Sequence, residues 1–164
     1  MRETVCRVMS CVVIVGTMVG CTRLGHYNVG VASTNPADSI QVDIVGVNEA
    51  EFELWSTYPL DDYWSPGNAF RQNAKDKLVL RFGMGRDQKQ TVSIKDSAWK
   101  AWDARRCRFL FIVTNAGAFG RGSAATGDPR RLVLPLEKKR WDGRTIDIEV
   151  RSGGLICING PEPE

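Results

Sequence analysis

The fold class is decided by one stretch near the carboxyl end of the chain, Thr145-Ile-Asp-Ile-Glu-Val-Arg-Ser-Gly-Gly-Leu-Ile-Cys-Ile158. Ile146, Ile148 and Val150 alternate with polar residues, which is the periodicity of a strand with one buried face. A tight turn at Ser152-Gly153-Gly154 follows, because glycine readily adopts the positive φ angles that short hairpin turns require. The stretch therefore predicts an antiparallel β-hairpin.

Strand patterns of the same kind recur upstream. The most apolar one runs from Cys107 to Thr114 and has consecutive large apolar residues, so we expect a central strand that is covered on both faces. The segment from Ile40 to Val47 begins by alternating apolar with polar residues and predicts a half-buried strand. Further strands are predicted over residues 78–82, with 88–94 as the hairpin partner, and over 132–136.

Two short helices are predicted between these strands. Asn48 can cap a helix over Glu49 to Trp55, because its side chain can accept a hydrogen bond from a free N–H of the first turn. Asp96 can cap another, which carries Trp99 and Trp102 on one face. The whole pattern predicts an all-β fold, an antiparallel β-sandwich of about seven strands, transthyretin-like or immunoglobulin-like, with one or two short helical insertions.

The amino terminus has the features of an export signal. An uncharged apolar run from Val8 to Val19 follows two arginines, and its 12 residues are too few to span a bilayer core of ~30 Å. Met18-Val19-Gly20-Cys21 resembles the lipobox of bacterial lipoproteins, in which fatty acids such as palmitate are attached and the cysteine becomes the first mature residue. The alternative is an ordinary signal peptide with a chance cysteine. Thr22 stands where the enterobacterial sorting rule places an aspartate for inner-membrane retention, which implies the outer membrane.

This interpretation divides the chain into four parts. Residues 1–20 are the lipoprotein signal peptide, 21–38 a lipid-anchored tether of small and polar residues, 39–160 the β-sandwich domain and 161–164 a frayed tail. The tether would let the folded body stand off the bilayer, and it contains the only histidine, His26. We expect a protein of the bacterial cell envelope, held at the outer membrane and facing the periplasm.

The charge balance and the cysteines restrict the partners. The chain has 22 Lys and Arg against 19 Asp and Glu, and no basic stripe, which argues against a nucleic-acid partner. If Cys21 is acylated and the signal is removed, only Cys107 and Cys157 remain. In an exported domain such a pair suggests a disulfide. Two buried free thiols that pack as small apolar groups are the alternative.

The residue inventory excludes most catalytic sites. With its only histidine in the tether, the domain has no Ser-His-Asp or Cys-His site, and two lone cysteines make no zinc site. The loop of small residues 115–129 lacks the phosphate-loop pattern, although Arg121, Arg130 and Arg131 offer charges for an anion. Paired carboxylates are the remaining enzymatic alternative, and no such pair is marked. We therefore expect no catalytic residue, metal or cofactor.

An aromatic group lies in the irregular excursion between the first two predicted strands. Aromatic side chains supply large contact areas at low entropic cost and are often the anchors of an interface. The alternative is a satellite core that folds the excursion onto the sandwich. The candidate partner-binding residues are Trp55, Tyr58, Tyr63, Trp64 and Phe70.

Taken in order, these segments resemble the outer-membrane lipoprotein of type VI secretion systems. The resemblance covers most of residues 39–158 as an ordered pattern, and it departs in the long first excursion, the loop from Ala116 to Pro129 and the pair of Cys107 and Cys157. The matching segments after the lipobox are Ile40 to Val47, Leu60-Asp-Asp-Tyr-Trp64, Lys77-Leu-Val-Leu-Arg-Phe-Gly83, Gln90-Thr-Val-Ser-Ile94, Arg108-Phe-Leu-Phe-Ile-Val113, Arg131-Leu-Val-Leu-Pro-Leu136 and the final hairpin.

This resemblance implies a transthyretin-like sandwich with a non-enzymatic role. In that family the lipoprotein holds the periplasmic part of an inner-membrane secretion protein against the outer membrane. Our leading hypothesis is accordingly a lipid-anchored β-sandwich that binds another envelope protein. The alternative is a surface-exposed module for carbohydrate or a small ligand, which would use the aromatic residues as stacking platforms.

Overall fold

The computed structural model describes residues 24–34, 39–116 and 127–163. Within them the chain forms eight strands, four α-helices and one 3-10 helix at Lys138–Arg140. The helices are α1 (Glu49–Thr57), α2 (Leu60–Trp64), α3 (Ala69–Gln72) and α4 (Ser97–Ala104). The strands are β1 (Asn28–Ser33), β2 (Ile40–Val47), β3 (Leu78–Phe82), β4 (Lys89–Val92), β5 (Phe109–Thr114), β6 (Arg131–Pro135), β7 (Thr145–Arg151) and β8 (Gly154–Cys157).

The strands form two four-stranded sheets packed face to face. The first sheet has the order β4-β1-β7-β8 and the second β3-β2-β5-β6. Every neighbouring pair is antiparallel except β1 and β7, which run parallel with Val31 opposite Ile148. Apolar side chains from both sheets and from α4 form the main core between them. The prediction of an all-β sandwich is confirmed.

The first three helices form a third layer, which we call the helical cover (residues 49–72). It lies on the outer face of the second sheet, where Val45 and Val47 of β2 and Phe111 and Val113 of β5 meet its apolar side chains. Strand β5 is therefore covered on both faces, as its unbroken apolar run predicts. Strand β2 is covered in the same way, so the prediction that it is half-buried was wrong.

Helices α1 and α4 begin where their capping residues predict. The side chain of Asn48 accepts a hydrogen bond from the N–H of Glu51, and that of Asp96 accepts one from Ala98. On α4, Trp99 and Trp102 are both buried, and Trp102 lies directly on β2. A Cβ atom at Gly46 would be 2.5 Å from Trp102 Cγ, so only glycine fits below this indole.

The prediction that residues 21–38 form a tether was wrong, because this segment contains strand β1. Val29 and Val31 are at most 1% exposed, and Leu24, the first residue that the structure describes, already pairs with Glu137 in an isolated bridge. The segment has the weak apolar pattern of a tether because Gly30 and Ala32 alternate with the valines. Hydrogen bonds from β4 on one side and β7 on the other compensate for these small side chains.

The partner predicted for β4 is also corrected. We expected residues 88–94 to form a hairpin with β3, but β4 lies in the first sheet and pairs with β1, where Val29 faces Val92. The chain crosses from one sheet to the other after Phe82. Closeness in sequence favours a hairpin of β3 and β4, but β1, which lies far upstream, is the actual partner of β4.

The carboxyl-terminal predictions have a mixed outcome. The hairpin of β7 and β8 is confirmed, with Gly154 at a φ of 135°. The tail is not frayed at Glu162, whose N–H donates to the carbonyl of Arg140 at 2.8 Å. Cys107 and Cys157 are not bridged, so the predicted disulfide is wrong in this structure. Cys107 lies between α4 and β5, whereas Cys157 ends β8, a strand of the other sheet, and each packs as a small apolar group.

Candidate functional site

The five aromatic residues predicted to bind a partner lie together in the helical cover. Trp55 and Tyr63 are 6% and 1% exposed, and Trp55 packs on Phe111 of β5 with 6.0 Å between ring centroids. Phe70 contacts Trp55 at 4.6 Å and stacks on Tyr58 at 4.2 Å. These contacts make the cluster chiefly a second core, which fixes the cover on the sheet.

Trp64 lies at the rim of this cluster and is partly exposed. Its ring meets Tyr63 edge to face at 5.2 Å, and the guanidinium of Arg71 lies over it at 4.2 Å from the ring centroid. A sugar stacked on that face would have to displace the cation from its ring. The arrangement therefore disfavours the stacking-platform hypothesis for Trp64.

A buried carboxylate joins the cover to the sheet. The side chain of Asp43 on β2 is fully buried, and its Oδ2 accepts hydrogen bonds from Tyr63 Oη and Arg71 Nε, both at 3.0 Å. Lys77 Nζ is 3.5 Å from the same oxygen, and Gln41 donates to Oδ1 at 2.9 Å. Burial, followed by the nearby Asp43 charge, raises the pKa of Tyr63 far above its usual range. The phenol is thus held as a hydrogen-bond donor.

Two adjacent arginines join the cover to the start of β6. Arg130 contacts Asp128 Oδ2 and Asp61 Oδ1, both at 2.7 Å. Burial acts to raise the pKa of Asp128, but hydrogen bonds from Arg130 outweigh it and hold this pKa below its usual value. Arg131 donates to the backbone carbonyls of Ser56 and Tyr58. Both guanidinium groups therefore serve as internal contacts, which the sequence pattern did not indicate.

A shallow groove of about 350 Å³ lies beside α1. Its floor is apolar, with Phe52 of α1 packed on Phe109 of β5 at 4.4 Å between ring centroids. Charged groups stand at its rim, where Arg108 lies 3.3 Å from Glu49 and 3.1 Å from Glu137. Val133 and Pro135 of β6, the edge strand of the second sheet, form the opposite wall. An apolar floor, a charged rim and an adjacent edge strand are features of surfaces that take a polypeptide partner.

Outside the lining of this groove, α1 also carries one exposed large apolar residue. Leu54 is 52% exposed and is one of four large apolar residues that project into solvent among the described residues. The others are Met84, Ile156 and Ile158. We call Leu54 together with the groove the α1 surface, and it is the strongest candidate for a protein-binding site.

The only histidine belongs to the folded body, contrary to the prediction that placed it in a tether. The ring of His26 stacks on Trp99 at 5.4 Å between centroids, and its Nε2 is 2.6 Å from Asp103 Oδ2. His26 is thus available to the domain, and its position does not exclude catalysis. Among the described residues, no group of three or more His, Cys, Asp or Glu side chains is placed to hold a metal ion.

The lipobox cysteine Cys21 and the loop residue Arg121 lie outside the described residues. In the part of the chain that the structure describes, no helix is both long enough and apolar enough to cross a bilayer.

Comparison with known proteins gives matches in structure alone. No protein-family model matches this chain, and neither does any curated protein. Among solved structures, a chain described as "Type VI membrane complex" has a TM-score of 0.54 and 12% identity, over 83% of this chain and 99% of that one. A structure described as the T6SS protein TssM C-terminal domain from EAEC gives 0.52 and 10%, over 80% and 99%.

A third structure, the T6SS lipoprotein TssJ1 from Pseudomonas aeruginosa, has 9% identity over 87% of this chain and 99% of that one. Its TM-score of 0.48 is too low to support an argument. The first two matches span nearly the whole of the matched chains, and at these identities they show a shared fold. The fold of this chain is thus similar to folds found in structures of type VI secretion membrane proteins.

Proposed function

We propose that this chain is a non-enzymatic, lipid-anchored envelope protein whose β-sandwich binds another envelope protein, as the outer-membrane lipoprotein of a complex related to type VI secretion. The observation that carries the proposal is the fold similarity to the chain described as a type VI membrane complex, over 83% of this chain and 99% of that one. The lipobox at Met18-Val19-Gly20-Cys21 supports it independently.

The anchor is an acylated Cys21 at the outer membrane, with the folded body in the periplasm. Several acyl chains on one residue give stable attachment, because each buried methylene adds about 0.8 kcal/mol. Fatty-acid labelling of cells tests this part. We expect Cys21→Ser to remove the label and to leave an unprocessed precursor. Equal labelling of the parent and the variant would contradict the anchor.

The partner-binding site is the α1 surface. Its backbone is held in place from below by the aromatic cluster and by the contacts of Asp43 and Arg131, so the surface is preorganised. A preorganised surface loses little conformational entropy on binding. Leu54, which is 52% exposed on a helix whose neighbouring side chains are acidic, is the central apolar contact.

Crosslinking in intact cells followed by purification tests the partner. We expect the parent chain to recover one envelope protein in stoichiometric amount. Leu54→Lys should reduce this recovery at least tenfold, because a buried lysine at an interface is costly. Met84→Lys is the matched control, since Met84 is 88% exposed on the connection between β3 and β4.

Two results would contradict the proposal in different ways. Recovery of no stoichiometric protein by the parent chain would remove the partner-binding function. Equal recovery by Leu54→Lys and the parent would keep the function and reject the α1 surface as its site.

A further inference from the structure

The end of the sandwich where the chain enters the fold carries an open cleft of about 480 Å³. Leu24, His26 and Ile94 contribute to its lining. Backbone hydrogen bonds fix its walls: the N–H of Gly25 donates to the carbonyl of Leu136 at 2.8 Å, which ties the entering chain to the segment before the 3-10 helix. The cleft is therefore part of the folded body.

Asn28 organises the cleft from the first residue of β1. Its N–H donates to the carbonyl of Arg144 at 2.8 Å, and its side-chain oxygen accepts a hydrogen bond from the N–H of Ile94 at 2.8 Å. Residues from three separate parts of the chain are thus brought to one place.

The charge of the cleft is positive. Lys95, Lys138 and Arg144 line it and are all exposed, and none of them forms an ion pair with a carboxylate among the described residues. The single acid in the lining, Asp103, is already in contact with His26 at 2.6 Å. Three cations with free hydrogen-bond donors around an open cleft favour a phosphate-bearing ligand.

The lipid anchor would lie beside this cleft. Only Thr22 and Arg23 separate Cys21 from Leu24, and an extended chain spans at most ~3.6 Å per residue, so the Cα atoms of Cys21 and Leu24 are within about 11 Å. An acylated Cys21 is thus too close to the fold for the body to stand off the bilayer. Because Leu24 lines the basic cleft, this limit favours an orientation in which the cleft faces the lipid surface.

We propose that this basic cleft binds the phosphate head groups of anionic phospholipids and so fixes the orientation of the sandwich on the membrane. The proposal rests on the lipid anchor of the proposed function. It adds a second membrane contact, which is made by side chains and depends on lipid charge.

The test uses the full-length protein, purified from membranes and reconstituted into two kinds of vesicle. One kind contains phosphatidylcholine alone, and the other phosphatidylcholine and phosphatidylglycerol in the ratio two to one. An amine-reactive ester labels the lysines, and mass spectrometry gives the labelling rate of each. Lys89 is the internal control, because it lies at the opposite end of β4 from Lys95 and is 68% exposed.

We expect labelling of Lys95 and Lys138 to fall about fivefold in the anionic vesicles, the factor expected for one cation held at an anionic surface, while Lys89 is unchanged. Lys138→Glu should abolish the protection of Lys95, whereas Lys89→Glu, which changes the net charge equally, should not. Equal labelling in both vesicles would overturn the proposal. Protection that requires a copurifying protein would also overturn it.

The same spectra report the acyl mass on Cys21, which separates the two proposals. If Cys21 carries no acyl group, the proposed lipid anchor is wrong. Binding by the basic cleft is then tested by sedimentation of the chain with each kind of vesicle. Sedimentation with anionic vesicles alone, reduced by Lys138→Glu but not by Lys89→Glu, supports the cleft. Equal sedimentation with both vesicles overturns it.

Discussion

Tyr63 donates a hydrogen bond of 3.0 Å to Asp43, and this contact joins the second helix of the cover to a strand in the centre of the sheet below it. Asp43 is fully buried, and its charge is balanced by two cations, Arg71 of the cover and Lys77 just before β3. The cover and the sheet are therefore coupled through one carboxylate.

The first prediction concerns this carboxylate. We expect Asp43→Ala to lower the free energy of unfolding by about 2–4 kcal/mol, because the partners of a buried charge are left without it. Tyr63→Phe should cost about 1.5–3 kcal/mol, the value of a hydrogen bond to a charged group. Urea unfolding measures both, with the exposed Glu53→Ala as a control that changes stability by less than about 0.5 kcal/mol. If Asp43→Ala were as stable as the parent, the aromatic cluster and the two arginines at the start of β6 would suffice to hold the cover.

The second prediction concerns acid stability. The pKa of Asp128 is lowered in the folded state, so its contribution to stability is present above the unfolded value of 3.8 and is lost as the pH falls through the folded value. Asp128→Asn should therefore cost about 1–3 kcal/mol at pH 7. The variant should also lose less stability than the parent below pH 3.8. Thermal unfolding of the parent and of Asp128→Asn at pH 7 and pH 3 measures both effects. If the two proteins lost equal stability between these pH values, Asp128 would not be the source of the acid sensitivity.

The third prediction concerns the contact of α4 with β2. Gly46→Ala places a methyl group 2.5 Å from Trp102 Cγ, so the helix must shift. We expect a loss of about 1–3 kcal/mol, the usual cost of overpacking a core. Gly153→Ala is the matched control, because nothing lies within 4 Å of the added atom. A change in tryptophan fluorescence should accompany the loss, and equal stability of the two variants would show that Trp102 moves freely.

The fourth prediction concerns the thiols. Burial raises the pKa of Cys107 to about 11, and burial also raises that of Cys157, which is the more exposed of the two. Iodoacetamide at pH 8 should therefore modify Cys157 in the folded protein much faster than Cys107. After unfolding without reductant, peptide mapping should find both residues alkylated. Absence of alkylation at both sites would establish a disulfide.

The sequence predicted the elements whose pattern is local. The hairpin of β7 and β8, the apolar strand β5 and the caps at Asn48 and Asp96 all depend on neighbouring residues. Periodicity and turn chemistry act over the same short range, which explains why these predictions were confirmed.

The predictions that failed depend on partners distant in sequence. Strand β1 has a weak pattern of its own and is stable because it lies between β4 and β7. The burial of Asp43 was hidden for the same reason, since a polar residue in an alternating strand indicates an exposed face. Its partners are Tyr63, Arg71 and Lys77, and no local rule connects them to β2.

The candidate site was predicted in part. The aromatic residues do cluster, but Trp55 and Tyr63 serve as core, and the accessible apolar surface lies at Leu54 and, separately, in the groove that Phe52 lines. An exposed leucine on a short helix carries no signal in the sequence, because only the fold shows which face of the helix meets the sheet.

The parallel pairing of β1 with β7 has a consequence for the order of folding. Strand β1 pairs with β7, which comes near the end of the chain. The first sheet therefore forms only when the carboxyl-terminal hairpin is present. Contacts of such long range form slowly, because the intervening chain must first be ordered. The second sheet, with its shorter connections and its helical cover, is the part that can assemble early. A chain cut before Thr145 would leave β1 with a single neighbour and a free edge, and such edges are the usual origin of aggregation.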